Sequence, residues 1–170
     1  LSCKPGIIQK DGMLCDFKYL KDKGLDSHWL DMMALEYAKL KDDTFVVSLF
    51  PSCTTINDAG VRNILKNSGE IVYEKDMYLT STGGFKYAIE MYRGESWIGN
   101  PHNGYHGAGN KARLCFTDAS KPMKVFLMKF PKNEAHIRNV KETIRSLFNI
   151  GNHSVHINDT HEETVRIAKT

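Results

Sequence analysis

The chain has little of what marks the specialised classes of protein. Its four cysteines, Cys3, Cys15, Cys53 and Cys115, are scattered and form no Cys-x-x-Cys pair. That argues against a disulfide frame or a zinc knuckle and suits reduced thiols in a cytosolic protein. No stretch approaches the roughly 18–20 unbroken apolar residues of a membrane span, and Lys4, Lys10, Asp11, Asp16 and Lys18 stand where a signal peptide is apolar. A cytoplasmic protein without a membrane partner is expected. Charge of one sign is scarce as well. Lys plus Arg number 23 against 20 for Asp plus Glu, interleaved, for a net charge of +3, so no long-range field points to nucleic acid or anionic lipid. A nucleophile elbow, a His-Glu-x-x-His zinc helix and a dinucleotide fingerprint are all missing.

What is present reads as one domain. The 170 residues suffice for a sizeable core, a folded chain of that length removing roughly two-thirds of its surface from water. Residues 1–24, with Pro5, Gly6, Gly12 and Gly24, lack periodicity and read as an irregular arm, with a short strand at 13–17. Apolar residues from Trp29 to Leu40 recur at helical steps, and the apolar run from Thr44 to Phe50 follows as a buried strand. The same reading gives helix over 58–66, strand over 70–75, helix over 84–93, strand over 125–130, helix over 134–148, strand over 153–158 and a last helix from Glu162. Strands separated by helices predict an α/β domain of three layers, with a mixed, partly parallel sheet of about four or five strands between helices. The last helix meets no Gly or Pro stop before Thr170, so the natural protein is expected to continue.

Residues 94–113 stand apart, with five glycines and almost no apolar periodicity. A loop that long inside a compact domain is usually functional or disordered. Its Gly104-Tyr-His-Gly-Ala-Gly-Asn-Lys111 lacks the Lys-Ser/Thr ending of a P-loop. A looser role is open, in which Lys111 and Arg113 hold a phosphate and His106 closes over it, with Arg93 and Trp97 alongside. Trp97 is suited to stack on a base or sugar ring, though a Trp so placed more often covers the core.

The densest polar cluster is His153-Ser-Val-His-Ile-Asn-Asp-Thr-His-Glu-Glu163. On a strand, Val155 and Ile157 face one side while Ser154, His156 and Asn158 share the other. In open α/β sheets ligands bind beyond the carboxyl ends of strands, which makes His156 a candidate general base, Asp159 its orienting partner and Asn158 a substrate contact. His153 and His161 extend the cluster toward a divalent-metal site. The bland reading is that Asp159 or Thr160 caps the last helix, with Glu162 and Glu163 three residues after each, and that these acidic residues complement its dipole.

The segments DGMLCDFKYL, SHWLDMMALEY, YRGESWIG and NHSVHINDTHEET resemble a poorly characterised region of larger proteins. There it precedes a nucleotidyltransferase-like module, in bacterial surface-polysaccharide settings and some large viruses. The Gly-Ser and Asp-x-Asp signature of that module is absent here, so the resemblance implies that any such activity lies downstream of Thr170. Three functions are open. The first is a glycan-related group transferase domain acting on a nucleotide-activated or phosphorylated sugar, the second a non-catalytic binding or scaffold domain beside the downstream module, and the third a metal-dependent hydrolase.

Overall fold

A computed structural model describes residues 27–170 apart from residue 55, the side chains of 27–29 also excepted. The arm expected over 1–24, its short strand, Cys3 and Cys15 lie outside the described residues. Among the rest, α1 (Ser27–Leu40), β1 (Thr44–Leu49), α2 (Asp58–Ser68), β2 (Glu70–Met77), α3 (Ser81–Met91), α4 (His106–Cys115), β3 (Met123–Lys129), α5 (Glu134–Phe148), β4 (Val155–Ile157) and α6 (His161–Lys169) follow in turn. Starts are marked by side chains that accept the first free helical N–H groups. Asn57 caps α2, Thr80 caps α3 and Asn133 caps α5. Thr160 caps α6 in a reciprocal box with Glu163, as its spacing predicts.

The sheet has the order β2-β3-β1-β4. Every neighbouring pair is antiparallel, which corrects the expectation of a partly parallel sheet. The helices do cross over as expected. However, β1 and β2 run the same way with β3 between them, and β3 and β4 run the same way with β1 between them. Each crossover skips one place in the sheet, and a strand of opposite direction fills it. Two interleaved split β-α-β units result, the β-α-β-β-α-β pattern of ferredoxin-like sheets, with α3 and α4 inserted between β2 and β3. Chain order alone does not distinguish a crossover to the next place from one that skips a place.

β1 is buried along its whole length and feeds two cores by strict alternation. Phe45, Val47 and Leu49 meet Phe126 and Met128 of β3, Val155 and Ile157 of β4, Val61 and Leu65 of α2, and Ile137, Val140 and Ile144 of α5. Val46 meets Leu127 together with Tyr37 and Ala38 of α1, Tyr87 and Met91 of α3, and Ile167 of α6. The three layers expected are therefore present, with α2 and α5 on one face and α1, α3 and α6 on the other. A bulge between Ile71 and Tyr73 shifts the register of β2.

The glycine segment is not the long loop its composition predicts. Asn100 and Asn103 cap each other's backbone over a 3-10 turn, Gly104 and Tyr105 take the left-handed conformation, and α4 begins at His106. That helix buries Ala108, Ala112 and Cys115, a spacing of four and three whose small side chains leave only a faint apolar signal. The glycine at 107 serves packing, because a Cβ there would stand 1.8 Å from the Trp97 carbonyl oxygen. Among the described residues no helix is long and apolar enough to cross a membrane.

Candidate functional site

β4 is an edge strand of three residues. Val155 and Ile157 enter the core under α5, so the alternation turns His156 to the opposite side. There a cavity of about 330 Å³ opens. Tyr92, Arg93, Glu95 and Trp97 wall it from the end of α3 and the turn beyond, and Lys111 enters from α4. Lys141 and Arg145 reach it from α5, and Asp159 and Glu163 from the start of α6. His156 and the basic glycine segment thus share one cleft.

The imidazole lies edge-on to Tyr92, with ring centroids 4.8 Å apart, and Tyr92 in turn packs edge-on to Trp97 at 4.9 Å. Trp97 remains 46% exposed, so its ring both packs and presents a surface. Burial, together with the cations Lys141, Lys111, Arg145 and Arg166, pushes the His156 pKa down to about 3. The ring is therefore neutral throughout the physiological range, and no hydrogen bond contributes to its shift.

Lys111 is the most committed of the cations. Its Nζ donates to the Asn152 carbonyl oxygen at 2.6 Å and lies 3.4 Å from His153 Nδ1. It also stands 5.7 Å from the centre of the Tyr92 ring. Burial, aided by Arg145, holds its ammonium below the ordinary lysine value. Arg145 Nη1 donates to Glu142 at 2.7 Å, yet its Nε is buried with no hydrogen-bond partner, as is Nη2 of Arg166. Lys141 approaches Asp159 only to 3.6 Å. A buried donor without an acceptor is costly, and Arg145, whose Nε lacks one, lines the cavity with Lys111 and Lys141 as a basic wall that an anion would complete.

No protein-family model matches the chain, and no curated protein resembles it closely enough to be matched. The site therefore rests on its own geometry.

Of the residues singled out from the sequence, His156, Asp159, Lys111, Trp97 and Arg93 meet at this cavity. The others do not. Arg113 and His106 line a separate cavity of about 390 Å³ with Phe85, Tyr105 and Phe116, because Lys111 and Arg113 are two residues apart on a helix and point to different sides. Asn158 is buried and fully engaged. Its Oδ1 accepts the Val46 N–H at 2.7 Å, and its Nδ2 donates to the Thr160 carbonyl and the Thr164 hydroxyl, each at 2.7 Å. His161 donates from Nε2 to the Ala38 carbonyl at 2.6 Å. His153 sits beside Lys111, and burial followed by that ammonium lowers its pKa. Among the described residues no group of three His, Cys, Asp or Glu side chains is placed to hold a metal ion.

Lys141, Arg145 and Tyr92 were missed from the sequence. A faint signal existed for the first two. They lie four apart on α5, each directly after a buried position of its apolar stripe, Val140 and Ile144, and a cation at that border extends along the core rather than into solvent. Their side chains are only 16% and 21% exposed.

Proposed function

We propose that the domain binds a phosphorylated or nucleotide-activated sugar in the His156 cavity and serves group transfer to an acceptor hydroxyl. The observation that carries this reading is the neutral imidazole set beside Lys111, Lys141 and Arg145 inside one cleft. Arg145, Lys141 and Lys111 hold the phosphate by charge-assisted hydrogen bonds. The acceptor oxygen bonds to the anomeric carbon, or to phosphorus, as the bond to the leaving group breaks. The leaving group departs with the electron pair toward the cations, and the hydroxyl proton passes to the free nitrogen of His156.

A second reading is favoured by one specific fact. A base whose pKa is about 3 takes a proton weakly, since general bases work best near the operating pH. On that reading the domain binds the phosphorylated ligand without reacting it and presents it to a neighbouring nucleotidyltransferase-like module.

A panel of sugar phosphates and nucleotide sugars in thermal-shift assays tests binding, because a ligand of the native state raises Tm. Lys111→Ala is expected to weaken binding by about tenfold to a hundredfold, the loss of one charge-assisted contact, whereas Arg113→Ala leaves it unchanged. Equal effects of the two substitutions would place the ligand elsewhere. His156→Ala separates the two readings. Loss of turnover by the full-length protein with binding retained selects catalysis, and retention of both selects presentation.

A further inference from the structure

We infer that the His156 cavity is built for a sugar-sized phosphate monoester rather than for a nucleotide diphosphate sugar. The inference rests on the anion-binding reading above and narrows its ligand. Three observations carry it.

The first is size. At about 330 Å³ the cavity lies at the small end of the roughly 300–1,000 Å³ range of small-molecule sites. It suits one sugar ring with its phosphate and leaves no room inside for a base and second ring.

The second is charge. The lining carries four cations, Arg93, Lys111, Lys141 and Arg145, against the carboxylates Glu95, Asp159 and Glu163, which leaves an excess of +1 with His156 neutral. A phosphate monoester brings about −1.5 to −2 near neutral pH, of which that excess offsets at least half.

The third is the chemistry of the remaining wall. Glu163 Oε2 already accepts the Asp159 and Thr160 N–H groups at 2.9 and 3.2 Å and Asp159 Oδ1 faces Lys141 at 3.6 Å, so Glu95 with the second oxygens of Glu163 and Asp159 can accept hydroxyl hydrogen bonds. The half-exposed Trp97 ring, braced by Tyr92, offers the flat apolar surface on which the C–H face of a sugar stacks. Carboxylate and indole together recognise a polyol.

Isothermal titration of the whole chain at pH 7.5 with glucose 6-phosphate, glucose, inorganic phosphate and UDP-glucose tests this. Glucose 6-phosphate is expected to bind at least about tenfold more tightly than each of the other three. Lys111→Gln, shown to be folded by circular dichroism, should lose about tenfold for glucose 6-phosphate, and Lys111→Arg should recover part of it. UDP-glucose or inorganic phosphate binding as tightly as glucose 6-phosphate overturns the monoester assignment and leaves the wider anion reading standing. Silence from all four, with wild-type protein folded, overturns both.

Discussion

At the scale of single residues, His156 is held neutral by burial beside Tyr92 and a group of cations. The depressed pKa of His156 makes a stability prediction whose sign follows from linkage. The unfolded imidazole binds a proton below about 6.5, while the folded one does so only near 3. The native state therefore binds fewer protons between those values. This contribution is intact above pH 6.5 and is lost as pH falls toward 3. Wild-type protein should lose up to about 3 kcal/mol between pH 6.5 and 4.5 from this group alone, and His156→Gln should flatten that part of the curve in urea titrations. An unchanged slope would mean that the ring is not held neutral. Asn158 makes the opposite point. It was read as a substrate contact because it is polar and shares a strand with His156, yet it ties the β1 backbone to α6 by three hydrogen bonds. Asn158→Ala leaves the Val46 N–H and the Thr164 hydroxyl short of a buried partner. It should destabilise the fold by roughly 2–4 kcal/mol, measurable as a lower urea midpoint with m unchanged.

The informative element is α4. Glycine-rich composition hid a helix whose buried stripe is Ala108, Ala112 and Cys115, small residues that let it lie close against α3 and the turn bearing Trp97. Gly107 is where that approach is tightest. Gly107→Ala must push α4 away from the Trp97 carbonyl, and with it Lys111, one turn further along. The expected cost is roughly 2–3 kcal/mol, with weakened ligand binding besides. Differential scanning calorimetry reads the first and titration the second, and a variant of wild-type stability would show that the contact is looser than described. Thr160 and Glu163 behave as their spacing predicts, because a capping box depends on local geometry that a few consecutive residues fully specify.

Across the whole molecule, the central pair β1 and β3 carries both cores, whereas β4 is a three-residue edge strand beside the cavity. Opening therefore costs more at the centre than at the β4 edge. Native-state hydrogen exchange should find the amides of Val47 and Leu127 among the slowest, exchanging only through global unfolding, and those around His156 several orders of magnitude faster. Comparable protection at both places would contradict a site built on a labile edge.

Apart from α4, element types and their approximate limits were legible in the sequence because helical and strand periodicity are local properties of consecutive side chains. α5 was placed at 134–148 to the residue, and β1 was recognised as buried from its unbroken apolar run. His156, Lys111 and Trp97 were legible as candidates because their chemistry is unusual in its context. Strand direction was not legible, since an antiparallel strand inserted into each crossover leaves no mark on either crossover's own sequence. Nor was the company that His156 keeps. Lys141 and Arg145 come from the far face of the sheet, around an edge that exists only once β4 has paired with β1. The sequence determined most of the segments that form elements and which of their faces seek burial, and tertiary structure alone decided which charges share a cavity, because a site is assembled from distances that no spacing along the chain encodes.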